Sequence, residues 1–127
     1  MEVTYLIGLP GSGKTTYARK LKGYVVDDPR SMKDFPDSAG HLIVADPKLC
    51  NSEMLRSLEK VLSEKYGSYE ETRIYFENDL TTCLKNIEYR RLWGDEREVD
   101  SITRHLSRIY CPPPNSLKVK TNYRMKL

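Results

Sequence analysis

The chain has 127 residues, a length that predicts a single domain spanning residues 1–127 around one core. Charged residues make up 31% of the sequence but the net charge is only +3, so total charge argues neither for nor against a polyanionic partner. No run approaches the roughly 18 apolar residues of a membrane helix and no export leader is visible, so we expect a cytoplasmic protein without a membrane partner.

Strand-like and helix-like segments alternate along the chain. The apolar patterns predict strands over residues 3–7, 24–26, 42–45 and 73–76, and a half-exposed edge strand over 117–123. Helices are predicted from residue 16, from Asn51 to Gly67, from Asp79, and over residues 99–109. This alternation predicts an α/β fold with three layers, a mostly parallel sheet of about five strands with the first strand central, and helices on both faces.

The turn between the first strand and first helix carries a phosphate-binding motif. Residues 8–15 read GLPGSGKT and fit the Walker A pattern G-x-x-x-x-G-K-[ST] of the P-loop. Glycines let the backbone curl around an anion, the lysine can reach the β- and γ-phosphates of ATP, and the threonine hydroxyl can bind Mg²⁺. The residues predicted to bind the nucleotide are Gly8, Gly11, Ser12, Gly13, Lys14, Thr15 and Thr16, with Thr15 also a metal ligand.

Acidic and basic residues follow the second strand. Asp27 comes at the strand end, where a carboxylate can accept the proton of an attacking hydroxyl, and Arg30 can bind an acceptor phosphate or the moving phosphoryl group. Asp28 precedes Pro29, a pair typical of the start of a helix, and is interpreted mainly as a helix cap. Asp27 and Arg30 are therefore the candidate catalytic residues of this turn.

Asp46 follows the buried strand 42–45. In a parallel sheet the carboxyl ends of the strands share one edge, so Asp46 is expected to lie near the phosphate-binding turn. Its position predicts a carboxylate that contacts the Mg²⁺ ion through a water molecule, which we call the metal-side carboxylate. Asp46-Pro47 is also a dipeptide that starts turns, which is the alternative interpretation.

A group of arginines borders an aperiodic segment. Arg90 and Arg91 end the third helix and Arg97 lies beyond it, in a stretch that we interpret as a lid over about residues 90–98. A lid arginine would neutralise charge on the triphosphate as the phosphoryl group moves. We expect one of the three to do so, with Arg97 a candidate for the nucleotide phosphates.

Together these blocks resemble the kinase domain of the phage-type polynucleotide 5′-hydroxyl kinases and their P-loop relatives, which include the zeta-toxin-like kinases. The resemblance depends on residues 8–16, on Asp27 with Arg30 three residues later, and on the stretches 43–49 and 76–99. It implies a kinase that uses ATP and Mg²⁺, with Asp27 as general base towards a 5′-hydroxyl, Arg30 as phosphoryl clamp and one lid arginine on the nucleotide. Which of Arg90, Arg91 and Arg97 is that residue stays open.

The leading expectation is therefore phosphoryl transfer from ATP to a hydroxyl, favouring the 5′-hydroxyl of a DNA or RNA end. A kinase acting on a nucleoside, nucleotide or sugar would show the same phosphate loop and base. A third alternative is an NTP-binding module without transferase activity. The sequence leaves the oligomeric state and the choice between ATP and GTP open.

Overall fold

The computed structural model describes residues 1–92, 99–114, 116 and 118–122. Within these residues the strands are β1 (Glu2–Ile7), β2 (Tyr24–Asp27), β3 (His41–Ala45), β4 (Glu70–Phe76) and β5 (Lys118–Val119). The α-helices of the same residues are α1 (Lys14–Ala18), α2 (Ser52–Tyr66), α3 (Leu80–Leu92) and α4 (Asp100–Ile109). Short 3₁₀ helices cover Met32–Asp34 and Pro47–Cys50.

The five described strands form one sheet in the order β2-β3-β1-β4-β5, and every pairing is parallel. β1 lies in the middle, with Val3 opposite Leu42 on one side and Glu71 on the other. The predicted α/β class and the central place of the first strand are thereby confirmed. The carboxyl ends of β1, β2 and β3 consequently lie side by side at one edge.

Alternating side chains of β1 supply both faces of the sheet. Val3, Tyr5 and Ile7 belong to a buried cluster that also contains Leu62 of α2 and Leu106 of α4. On the opposite face, Leu6 packs in a second cluster with Ala18 of α1. Since successive residues of a strand point to opposite faces, helices cover the sheet on both sides, which confirms the predicted three layers.

Helix α2 begins and ends where the sequence predicts. The Asn51 side chain accepts hydrogen bonds from the backbone N–H groups of Glu53 (2.9 Å) and Met54 (3.4 Å), as an N-cap does. Gly67 ends the helix with a φ of 78°, a left-handed value that glycine adopts without steric cost. Local capping therefore sets both ends of this helix.

The helix cap predicted at Asp28 is wrong. The following 3₁₀ helix is capped by Ser31, whose hydroxyl accepts from the Lys33 N–H while the Asp34 carboxylate accepts from the Ser31 N–H. These two hydrogen bonds satisfy N–H groups at the start of the 3₁₀ helix. Its cap is therefore Ser31, three residues after Asp28. Asp28 instead adopts a φ of 49°, an uncommon value for a residue other than glycine.

Two predicted elements are shorter in the structure. α1 ends at Ala18, followed by hydrogen-bonded turns, although its pattern predicted helix to residue 21. The final strand is limited to Lys118–Val119, while residues 117 and 123 of the predicted edge strand lie outside the described residues. None of the helices in the described ranges has the length and apolar character needed to cross a membrane.

Candidate active site

The phosphate-binding motif forms the turn between β1 and α1. Gly11 and Gly13 have φ values of 81° and 103°, so the backbone bends at two left-handed positions. Between them, the Ser12 N–H donates to the Leu9 carbonyl oxygen at 3.1 Å and closes the turn. The shape of the backbone thus requires glycine at positions 11 and 13. We call residues 8–15 the phosphate loop.

Lys14 lies folded against this loop. Its side chain is buried, with 6% of the residue exposed, and Nζ donates to the carbonyl oxygens of Gly8 (2.6 Å) and Leu9 (2.8 Å). Burial lowers the pKa of Lys14, and the carboxylates of Asp28 and Asp27 act in the opposite direction. An anionic phosphate beside Nζ would compensate the desolvation that the ammonium group undergoes here.

Asp27 projects from the end of β2 onto the phosphate loop. Its Oδ2 accepts a hydrogen bond from the Thr15 hydroxyl at 2.8 Å. The following peptide is fixed by the Asp28 N–H, which donates to the Ala45 carbonyl oxygen at 2.8 Å and continues the pairing of β2 with β3. The strand end therefore places a carboxylate in direct contact with the proposed metal-binding threonine.

Asp46 occupies the corresponding position at the end of β3. It is 7% exposed, and its Oδ1 accepts from the Lys48 N–H at 2.9 Å, capping the 3₁₀ helix Pro47–Cys50. Burial raises the pKa of Asp46, while Lys48 and Lys14 counteract the shift. Asp46 thus starts the turn, as the alternative interpretation from the sequence has it, and its side chain also lines the cleft described next.

A cleft of about 690 Å³ opens above the strand ends. Its charged side is lined by residues of the phosphate loop and of the turns after β2 and β3, including Lys14, Thr15, Asp27, Arg30, Asp46 and Lys48. The facing side is formed by α3 and α4 and includes Asn86, Tyr89, Arg90, Val99, Ile102 and Leu106. The volume is within the usual range of small-molecule and cofactor sites.

The three candidate lid arginines have different positions. Arg90 lines the cleft, whereas Arg91 forms an ion pair with Asp100 at the start of α4 and does not line it. Because Arg91 points to α4, the structure does not bring it to the other predicted catalytic residues. Arg97, with most of the predicted lid, lies outside the described residues. Arg30, the other predicted catalytic arginine, lines the cleft as expected.

Sequence reasoning missed the wall that α3 and α4 contribute. The apolar spacing predicts the fourth helix but gives no sign that its residues Ile102 and Leu106 line the cleft. Asn86 did carry a signal, since it is a polar residue between Cys83 and Ile87 on the buried face of α3. A buried amide needs hydrogen-bond partners, which marks such a position for attention.

Gly11 offers a direct test of the loop shape. A Cβ at Gly11 would lie 2.6 Å from the Cys83 carbonyl oxygen, in a backbone conformation that costs other residues about 1–2 kcal/mol. If the loop binds ATP as the sequence predicts, Gly11→Ala should weaken that binding by at least about tenfold, measured by calorimetric titration. Gly40→Ala is the matched control because a Cβ there meets nothing within 4 Å. Equal ATP affinity in both variants would show that the loop shape is unrelated to ATP.

Comparisons with known proteins add little about activity. No family model matches the chain. The chain is 27% identical over 100 residues to an uncharacterized protein of Acanthamoeba polyphaga mimivirus, an alignment that covers 70% of this chain and 72% of the viral protein. That similarity assigns no activity to the chain, so its function is inferred from the chemistry of the cleft.

Proposed function

We propose that the protein transfers the γ-phosphoryl group of ATP to a hydroxyl, with the 5′-hydroxyl of a DNA or RNA end as the favoured acceptor. The observation that carries the proposal is the 2.8 Å hydrogen bond between Thr15 and Asp27. It brings a candidate base against the loop whose sequence is typical of triphosphate binding. The resemblance of residues 8–16, Asp27 and Arg30 to polynucleotide kinases supports the choice of acceptor.

The donor side of the cleft fits Mg·ATP. The phosphate loop supplies backbone N–H groups and Lys14 for the phosphates. Thr15 offers its hydroxyl oxygen to a hard cation, and Asp46, which lines the same cleft, offers a carboxylate. Bound there, Mg²⁺ would neutralise charge on the β- and γ-phosphates.

Asp27 can accept a hydrogen bond from the acceptor hydroxyl while it keeps the one from Thr15. A carboxylate has about four lone-pair sites on two oxygens, so the hydrogen bond from Thr15 leaves room for a substrate hydroxyl. The acceptor oxygen would give its proton to Asp27 as it bonds to the γ-phosphorus, and the bond to the bridging oxygen would break to release ADP. Arg30 and Arg90, both in the cleft wall, would stabilise the charge on the moving group.

A small-molecule kinase is the second candidate. Tyr89, Val99 and Ile102 make part of the cleft wall apolar, a surface that suits the ring of a nucleoside or another small acceptor. Both candidates use the same donor side and the same base. They differ only in whether the cleft binds a nucleic-acid end or a small molecule as the phosphate acceptor.

An acceptor screen tests the proposal. ATP labelled in the γ-phosphate is incubated with the protein, Mg²⁺ and either a 5′-hydroxyl oligonucleotide, a nucleoside or a sugar. We expect label on the oligonucleotide, with less transfer at high salt because contacts to the nucleic-acid backbone are electrostatic. The same oligonucleotide carrying a 5′-phosphate is the control and should remain unlabelled.

The other outcomes separate the alternatives. Transfer to nucleosides or sugars but never to oligonucleotides would replace the favoured acceptor with a small molecule. ATP binding without transfer to any acceptor would contradict the kinase assignment and favour a nucleotide-binding module. Lack of ATP binding would remove the whole proposal.

A further inference from the structure

Asn86 makes an unusual connection between three parts of the chain. It lies in α3 with 2% of its surface exposed, and its Nδ2 donates to the Gly11 carbonyl oxygen at 2.8 Å. The same nitrogen donates to the Asn122 carbonyl oxygen, beyond β5, at 2.9 Å. One buried amide therefore joins the phosphate loop, α3 and the segment that follows the last strand.

The contact with Gly11 fixes a specific peptide of the phosphate loop. The Gly11 carbonyl and the Ser12 N–H belong to one planar peptide unit and point in opposite directions. Asn86 holds the carbonyl, and the Leu9 carbonyl oxygen holds the N–H at 3.1 Å. With a hydrogen bond at each end, this peptide plane cannot rotate without breaking one of them.

Close packing reinforces the same connection. The backbone of α3 lies against Gly11 so tightly that a Cβ there would be 2.6 Å from the Cys83 carbonyl oxygen. Arg90 follows Asn86 by four residues, which is about one helical turn, and both side chains line the cleft. α3 thus carries the attachment to the loop and a cleft arginine on one face.

We propose that Asn86 is a positioning residue that holds the phosphate loop in its anion-binding shape and sets the loop's place relative to Arg90. The benefit to nucleotide binding rests on the proposed function, whereas the effect on loop shape does not. Asn86 acts through the Gly11 carbonyl and the α3 backbone, without contact to the phosphates being required. Its loss would remove the hydrogen bond that the Gly11 carbonyl oxygen accepts from α3, a change that favours rearrangement of the loop.

Asn86→Asp is the informative variant, because it keeps the shape of the side chain and replaces the donor by an oxygen. Asn78→Asp controls for the same chemical change at an exposed position, since Asn78 Nδ2 also donates to two carbonyl oxygens, those of Ser107 (2.8 Å) and Tyr110 (3.1 Å). Asn78 is not among the described residues that line the cleft. Asn86→Ala serves as a second variant without an added charge, should Asn86→Asp fail to fold.

Two measurements decide the question. Without nucleotide, amide hydrogen exchange of residues 8–15 should be about tenfold faster in Asn86→Asp than in the wild type and unchanged in Asn78→Asp. With Mg·ATP, the Kd should rise by about tenfold in the Asn86 variant alone. A role of Asn86 limited to general stability would lower the melting temperature of the Asn86 variant while its loop exchange and Kd stay like those of Asn78→Asp and the wild type.

Unchanged loop exchange together with a Kd within about twofold of the wild type would overturn the proposal. So would equal changes in the Asn86 and Asn78 variants. If the wild-type protein binds no ATP, the proposed function fails, and the exchange measurement alone still decides whether Asn86 positions the loop. The two failures are therefore distinguishable.

Discussion

Under the proposed function, Lys14→Met will reduce phosphoryl transfer by at least about 10³-fold while leaving the free protein about as stable as the wild type. The loss of transfer is expected because Lys14 supplies the buried positive charge of the phosphate loop. The effect on stability is small because removal of a buried charge, which burial disfavours, offsets the loss of the hydrogen bonds to the Gly8 and Leu9 carbonyl oxygens. Methionine fills a similar volume without a charge.

The measurement pairs single-turnover transfer with thermal unfolding in the absence of nucleotide. Lys60→Met is the control, since Lys60 is an exposed residue of α2 and is not among the described residues of the cleft wall. A Lys14 variant that transfers phosphate at the normal rate would remove this side chain from the mechanism. A large drop in melting temperature would instead show that Lys14 mainly supports the fold through Gly8 and Leu9.

The parts of the site that the sequence predicts well are those fixed by local chemistry. The phosphate loop needs glycine at positions of positive φ, and residues 8–15 contain them between a strand and a helix. The position of Asp27 follows from the general rule that strand ends of a parallel sheet share an edge. β3 lies between β1 and β2, and α1 carries Thr15 to within hydrogen-bond distance of Asp27 at the end of β2.

Long-range packing explains what the sequence does not predict. The apolar spacing of α4 identifies a buried face, but only the position of that helix relative to the strand ends makes Leu106 part of a cleft. The direction of Arg91 depends on Asp100, a residue of the next helix. Asp28 and Ser31 are both favoured N-caps, and the reciprocal hydrogen bond of Asp34 decides between them.

Asp27→Asn will lower kcat by about 10²- to 10⁴-fold with little change in nucleotide affinity. An amide keeps an oxygen that can accept the hydrogen bond from Thr15, so the contact between β2 and the phosphate loop is retained. The amide cannot take the proton of the attacking hydroxyl. The expected signature is therefore a loss in kcat, measured in steady state with ATP and acceptor varied separately, beside an unchanged Kd for Mg·ATP.

Asp46→Asn distinguishes the two carboxylates of the strand ends. If Asp46 acts on the metal side, its variant should need more Mg²⁺ for half-maximal rate and should regain much of its kcat at high Mg²⁺, whereas Asp27→Asn should not. Asp37→Asn controls for loss of an acidic residue, because Asp37 is exposed and is not part of the described cleft wall. A drop in kcat that excess Mg²⁺ cannot restore in Asp46→Asn, together with recovery of Asp27→Asn at high Mg²⁺, would exchange the two roles. Asp27 would then be the metal-side carboxylate that its contact with Thr15 also allows.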